Sequence, residues 1–278
     1  MLVSGYNAAL LLTQVLTVSK FLRLIILLSC VLVQACQHNN DKDKDIPDAN
    51  QPDLSKAAAF NMQLGLGYLK QGDRPRAKTK LLTALEQQPD SADINAAMAY
   101  YLEKTSELEE AKKYYLKAIS LSSNSGAQLN NYGAFLCRQG DYKKAEFYFL
   151  KAVKDLRYVH TAGAYENAGL CVLAIPDVEK AKLYFNKALG QDPSKKESLY
   201  ELVKLESKDG HDEKAFELLQ QHPDLVLNDK VFLDIARTIS IKAGKQDVAA
   251  EYENSLNKLQ TKTDNSSGVN NEYNSHNG

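Results

Sequence analysis

"QLGLGYLKQGDRPRAKTKLLTALEQQPD", Gln63 to Asp90, carries a set of residue types that returns down the chain. The set is Leu64, Gly65, Tyr68, Gly72, Ala77, Leu81, Ala84 and Pro89. A second block holds the spacing with Met98, Ala99, Leu102, Ala111, Tyr115 and Ala118. A third has Tyr132, Gly133, Leu136, Gly140, Ala145, Phe149 and Ala152; a fourth has Tyr165, Ala168, Gly169, Ala181, Phe185, Ala188 and Pro193. Weaker echoes follow in Leu199, Leu202, Gly210, Ala215 and Leu219, and in Leu233, Ala236, Gly244, Ala249 and Leu256. Gly65, Ala99 and Gly133 stand 34 residues apart. A fixed period of this length marks a repeat array, in which each unit buries its apolar face against its neighbours. An ordinary helical bundle would not keep the period.

The residue types and their spacing match the tetratricopeptide repeat (TPR), a helix–turn–helix unit. The fold class is therefore all-α, with about six helix pairs over residues 57–260. The small residues have a mechanical role. Gly65, Ala99, Gly133 and Gly169 are expected where the first helix of a unit approaches the second most closely, with Ala77, Ala111, Ala145 and Ala181 facing them. Tyr115, Phe149 and Phe185 are expected to fill the gap between successive units. Pro89 and Pro193 end second helices, as proline does just past a helix terminus. Two irregularities stand out. The step from Gly133 to Gly169 is 36 residues, which places a longer turn in "KDLRYVHTAG", Lys154 to Gly163. Pro176 replaces the loop glycine of unit four.

Such an array has a concave face built mainly by first helices, and solenoids bind extended or helical partner segments there. The first-helix positions expected to face it are Met62, Leu66, Leu69, Tyr100, Asn130, Ala134, Arg138, Glu166 and Leu170. The apolar members suggest a groove for an apolar or amphipathic partner; the alternative is that they pack on neighbouring helices. Asn130 and Asn131 adjoin on one helix, and one of them could bond a bound peptide backbone. Catalytic chemistry finds no support. His38, His160, His211, His222 and His276 are scattered, no helical metal-ligand pair occurs, and the glycines of "GLGYLKQGD" are repeat positions rather than a phosphate loop. The reading is a binding scaffold, not an enzyme, with no cofactor, metal or small-molecule substrate. Thirty-four Lys and Arg balance 35 Asp and Glu, with no basic stripe, which disfavours nucleic acid.

The amino terminus has its own pattern. Lys20 and Arg23 precede an apolar run from Leu24 to Val33, and Ala35 puts a small residue before Cys36. A positive flank, a short apolar core and a small-residue cleavage site make a secretory signal, here residues 1–35. The run is short for a bilayer span of about 20 residues. Val33-Gln34-Ala35-Cys36 resembles a bacterial lipobox, with Val33 where Leu is usual. The resemblance implies that Cys36 becomes the lipidated first residue. Gln37, rather than Asp, then leans towards the outer membrane, facing the periplasm. Two or more acyl chains anchor stably where one does not. The plainer reading is a soluble secreted protein with a cysteine near its cut site. Residues 36–56 read as a flexible tether, reaching on the order of 60 Å when extended. Residues 261–278, rich in Asn, Ser and Gly, read as a disordered tail.

"NNYGAFLCRQGDYKKAEFYFLKAV", Asn130 to Val153, and "YENAGLCVLAIPDVEKAKLYFNKAL", Tyr165 to Leu189, go beyond a generic repeat. They resemble the PilW/PilF family of type IV pilus biogenesis and stability proteins, most specifically in "NNYGAFLC" and "ENAGLC". The resemblance implies an outer-membrane lipoprotein with six repeats in a right-handed superhelix. It implies a pilotin, which binds the pilus secretin and promotes its localisation and multimerisation. A general periplasmic scaffold lipoprotein, serving outer-membrane protein assembly or cell-wall synthesis, is the competing reading.

Four cysteines remain to be placed. Cleavage would remove Cys30 and lipidation would occupy Cys36, leaving Cys137 and Cys171. Both fall on first helices of adjacent units, and the periplasm is oxidising, so the reading pairs them. A two-residue stagger is about 3 Å of helix rise, within reach of a bridge. The alternative is two small buried side chains.

Overall fold

A computed structural model describes residues 53–175 and 177–272, with side chains through residue 260. The signal, Cys36, the tether up to residue 52 and the Pro176 turn lie outside the described residues. Thirteen helices and no strands follow among those described. Units one to four pair α1 (Leu54–Lys70) with α2 (Arg74–Gln87), α3 (Ala92–Lys104) with α4 (Leu108–Leu121), α5 (Gly126–Arg138) with α6 (Tyr142–Ala152), and α7 (Thr161–Val172) with α8 (Val178–Gln191). Unit five pairs α9 (Lys196–Lys208) with α10 (Asp212–Gln221). A short α11 (Pro223–Leu227) leads to unit six, α12 (Lys230–Lys242) with α13 (Gln246–Glu272).

Helix ends follow local chemistry. Asp53 accepts from the Ser55 and Lys56 amides at 3.1 and 3.2 Å, so α1 starts at Leu54, ahead of the boundary at 57. Asp73 and Asp177 cap α2 and α8 in the same way. Gly72, Gly140, Gly210 and Gly244 take φ between +75° and +82° in the turns within units. Ser106 takes φ +68° in unit two, without glycine's freedom. Pro223 breaks the second helix of unit five, because it starts α11 where α10 would otherwise run on. The backbone of α13 continues to Glu272, into the segment whose composition reads as a tail.

The core of units one, three and four is set by the close approach of their paired helices. A Cβ on Gly65 would lie 2.7 Å from Leu81, one on Gly133 2.9 Å from the Phe149 ring, and one on Gly169 2.7 Å from the Phe185 ring. Leu81, Phe149 and Phe185 are buried, as are Ala77, Ala111, Ala145 and Ala181. Phe149 and Phe185 thus lie over the glycines of their own units, a correction to their expected place between units. Tyr115 does bridge units: its ring stands 5.1 Å from Phe135 and 6.2 Å from Tyr132. Its own unit has Ala99 at the glycine position.

The long turn differs from expectation in its origin. α6 has 11 residues where α2, α4 and α8 have 14, so the inserted residues are joined by a turn that the helix gives up. The loop is anchored: the Asp155 carboxylate accepts from the Gly126 amide at 2.8 Å, and Tyr158 packs where a Cβ of Gly126 would stand. Hydrogen bonds from the Gly126 and Arg157 amides hold the Asp155 carboxyl below its ordinary range. Farther on, the seam of units four and five buries charge. Glu206 accepts from Lys214 at 2.8 Å and Lys182 at 3.3 Å, and pairs with His211 at 3.0 Å. Burial pushes the Glu206 carboxyl up, but hydrogen bonds from Lys214, His211 and Lys182 outweigh it and leave it lowered.

Two glycines on first helices should respond to alanine with opposite signs. Gly169→Ala must displace the buried Phe185 ring, and overpacking of this kind costs about 1–3 kcal/mol, more than the helix propensity gained. Gly67 is exposed with nothing near its missing Cβ, so Gly67→Ala should stabilise by about 0.5–1 kcal/mol. Urea unfolding followed by circular dichroism checks both; equal effects would contradict the packing described.

Candidate functional site: a groove on the first helices

The first helices of units one to three enclose a groove of about 1080 Å³. Met62, Leu66 and Leu69 from α1 form one apolar wall; they are half-buried and also pack on the core. Ala96, Ala97 and Tyr100 from α3 form the floor, and Asn130, Ala134 and Arg138 from α5 form the far side. These α1 and α5 residues and Tyr100 are the ones the sequence pattern places there. Glu166 and Leu170 are not brought into this groove. Glu166 instead accepts from the Ser198 amide at 3.2 Å and hydroxyl at 2.8 Å, with Lys195 at 3.6 Å. It therefore caps α9 from the neighbouring unit, where α9 has no side-chain cap of its own. Leu170 is exposed on α7 but is not among the residues lining the groove.

Polar bonds tie successive first helices along this face. Gln128 donates to Asp93 at 2.7 Å, and Asn167 donates to Asn130 at 3.0 Å. Arg138 grips Glu103 through Nε and through Nη2, the latter at 2.9 Å, and the Tyr115 hydroxyl donates to the same carboxylate at 3.0 Å. Burial, then the Glu103 charge, pushes the Tyr115 phenol well above its ordinary value. Asn130 is thus engaged through its oxygen by Asn167. Asn131 is exposed and donates to Gln128 at 3.3 Å.

The rim is cationic, a feature the sequence pattern did not pick out. Lys70, Arg74 and Lys104 join Arg138 around the groove, against Asp93 alone among the lining acids. Arg138 is neutralised by Glu103. Lys70 and Arg74 have no ion-pair partner among the described residues, and Lys104 lies over the Tyr100 ring at 5.2 Å. An apolar floor under unneutralised cations suits an amphipathic segment bearing acids. Among the described residues no group of three His, Cys, Asp or Glu is placed to hold a metal ion.

Cys137 on α5 and Cys171 on α7 are joined by a disulfide, with Cα atoms 5.7 Å apart. The bond lies on the helices that carry Asn130 and Asn167, so it braces the far end of the groove. Alkylation of the unfolded chain without reductant should leave both sulfurs unmodified by mass spectrometry. Modification of both would contradict the bond. Cys137→Ser with Cys171→Ser should lower stability by about 2–4 kcal/mol.

The comparisons agree with this architecture. The tetratricopeptide repeat family matches residues 62–126. The chain is 35% identical over 165 residues to the type IV pilus assembly protein PilF of Pseudomonas aeruginosa, covering 59% of this chain. It is 33% identical over 115 residues to an uncharacterized protein of Haemophilus influenzae, covering 41% of this chain. Each match spans 64% of the relative, just under two thirds of its length. A solved structure of PilW, a widely conserved type IV pilus biogenesis factor, shares the fold at 22% identity, with a TM-score of 0.57 over 73% of this chain and 98% of that one. The solved Pseudomonas aeruginosa PilF superimposes with a TM-score of 0.59 at 32% identity, over 74% of this chain and 93% of that one. On that match, carried by the same stack of helix pairs, the chain belongs to the PilF/PilW family of type IV pilus biogenesis TPR proteins.

Proposed function

We propose that this chain is an outer-membrane lipoprotein, held on the periplasmic side through Cys36, that acts as a pilotin for the type IV pilus secretin. The groove of α1, α3 and α5 receives an apolar, acid-flanked segment of a secretin subunit. The lipid end brings that subunit to the membrane where it inserts and raises its local concentration there. The observation that carries the reading is the groove itself: an apolar floor rimmed by Lys70, Arg74 and Lys104, in a member of a pilus-biogenesis family. Fully burying an exposed aliphatic side chain gives about 1.5–3 kcal/mol; Met62, Leu66 and Leu69 are already half-buried, so covering what remains of all three gives on the order of 2–5 kcal/mol, a part of the roughly 8 kcal/mol of a micromolar complex. The lipid anchor is supported by the Val33–Cys36 quartet and the tether composition.

Leu66→Gln with Leu69→Gln should reduce secretin multimers while circular dichroism remains helical. Because both leucines also touch the core, Lys70→Glu with Arg74→Glu supplies a second variant that alters only exposed charge; it should weaken secretin capture about tenfold. Multimers and capture unchanged in both folded variants would refute the groove. Cys36→Ser should leave the chain out of the outer-membrane fraction, and normal fractionation of that variant would refute the anchor. A pull-down from solubilised envelope that recovers an outer-membrane assembly machine instead of secretin would favour the general scaffold.

A further inference from the structure

The concave side has a second recess far from the groove. It lies between α9 and α12, the first helices of units five and six, and holds about 330 Å³. Its floor is apolar: Val203 and Ile239 are buried and Ile235 is half-buried. Lys204 and Lys208 rise beside it from α9, and Lys242 from α12. Lys204 has Glu201 at 3.4 Å on its own helix and lies 5.6 Å from the centre of the Tyr200 ring. Lys242 donates to the Ser207 hydroxyl at 3.1 Å. Neither Lys208 nor Lys242 has an ion-pair partner among the described residues. The acid lining the recess is Asp234, and Arg237 already holds its carboxylate at 2.7 Å. The recess therefore combines an apolar floor with two lysines, Lys208 and Lys242, that are in no ion pair. Pro223 bears on this geometry, because the break it makes puts α11 between α10 and α12.

We propose that this cleft is a second binding site, which takes an acidic amphipathic peptide segment. Its apolar residues would cover Ile235 and the Tyr200 ring, above the buried Val203 and Ile239, and its carboxylates would meet Lys208 and Lys242. Charge complementarity selects the occupant: a basic segment would be repelled, and a neutral one would leave the lysines unpaired over the ligand. A recess between two 13-residue helices suits a helix or extended segment laid along it better than a flat lipid surface. The groove is lined from units one to four and the cleft from units five and six, with no lining residue in common, so the cleft works independently of the first groove. Occupied by two segments of one partner, the two sites would bind it with a raised effective concentration.

The probe is a fluorescein-labelled synthetic peptide of repeated Glu-Glu-Leu-Leu units, titrated with the full chain by fluorescence anisotropy. Every chain carries Lys70→Glu and Arg74→Glu, so that the first groove repels the probe. This background chain is expected to bind the peptide, and more weakly as added salt screens the contact. Adding Lys208→Glu with Lys242→Glu is expected to weaken binding about tenfold or more. Both lysines are exposed and in no ion pair, and Lys242 gives up one hydrogen bond to Ser207, so the fold should persist by circular dichroism; Lys208→Gln with Lys242→Gln gives the same direction with a smaller change. No binding by the background chain overturns the proposal, as does a charge-reversed chain that binds within about twofold of it. Equal affinity for a Lys-Lys-Leu-Leu peptide also overturns it. Binding of phosphatidylglycerol vesicles that the same variants abolish, without peptide binding, would assign the cleft to a lipid surface and overturn it too. None of these outcomes bears on secretin capture by the first groove.

Discussion

The close approach of paired helices at one small residue in each of units one to four is the constraint on which the structure depends. Gly65, Gly133 and Gly169 leave hollows that Leu81, Phe149 and Phe185 fill. A methyl in such a hollow would have to displace a buried side chain, since interiors packed to crystal density have little slack. Because units one to four close on the same register, they stack in one orientation and their first helices share one face. That face is then laced by bonds between units: Gln128 to Asp93, Arg138 to Glu103, Asn167 to Asn130 and Ser198 to Glu166. The disulfide of Cys137 and Cys171 adds a covalent rung. The groove is thus a recess between braced helices, which lowers the entropy lost when a partner binds.

Much of this is written in the spacing of small residues. A period of 34 places the helices and the turn glycines, and it brings Met62, Leu66 and Leu69 to one wall. Reading unit by unit fails where a residue's partner lies in the next unit. Glu166 has the position of a groove residue, but Ser198, which it caps, lies 32 residues on. The aromatic residues misled for a related reason: the pattern gives the position of Phe149 and Phe185, while the side-chain direction depends on whether the facing residue leaves a hollow. The long loop hid a second cause. Two inserted residues are visible in the sequence, but the turn surrendered by α6 follows from the docking of Asp155 and Tyr158 on Gly126.

The cationic rims were less legible still. Lys70, Lys104, Lys208 and Lys242 each sit in the last turn of a first helix, where a positive charge favours the helix dipole and needs no other explanation. Only stacking shows that these helix ends converge on one side of an apolar floor. The same device appears at both ends of the array, in unit one with α3 and in unit five with α12. A segment that alternates apolar and acidic residues would find the same chemistry in either recess, while the seam between units four and five is held by Glu206 with Lys182, Lys214 and His211.

The central claim is that the braced first helices, and not the outer ones, receive the secretin. Hydrogen–deuterium exchange of the full chain, alone and saturated with purified secretin, tests it directly. The account predicts slower exchange in peptides from α1, α3 and α5, with α2 and α4 unchanged. Protection confined to α2, α4 and α6, or none at all under saturating secretin, would contradict it.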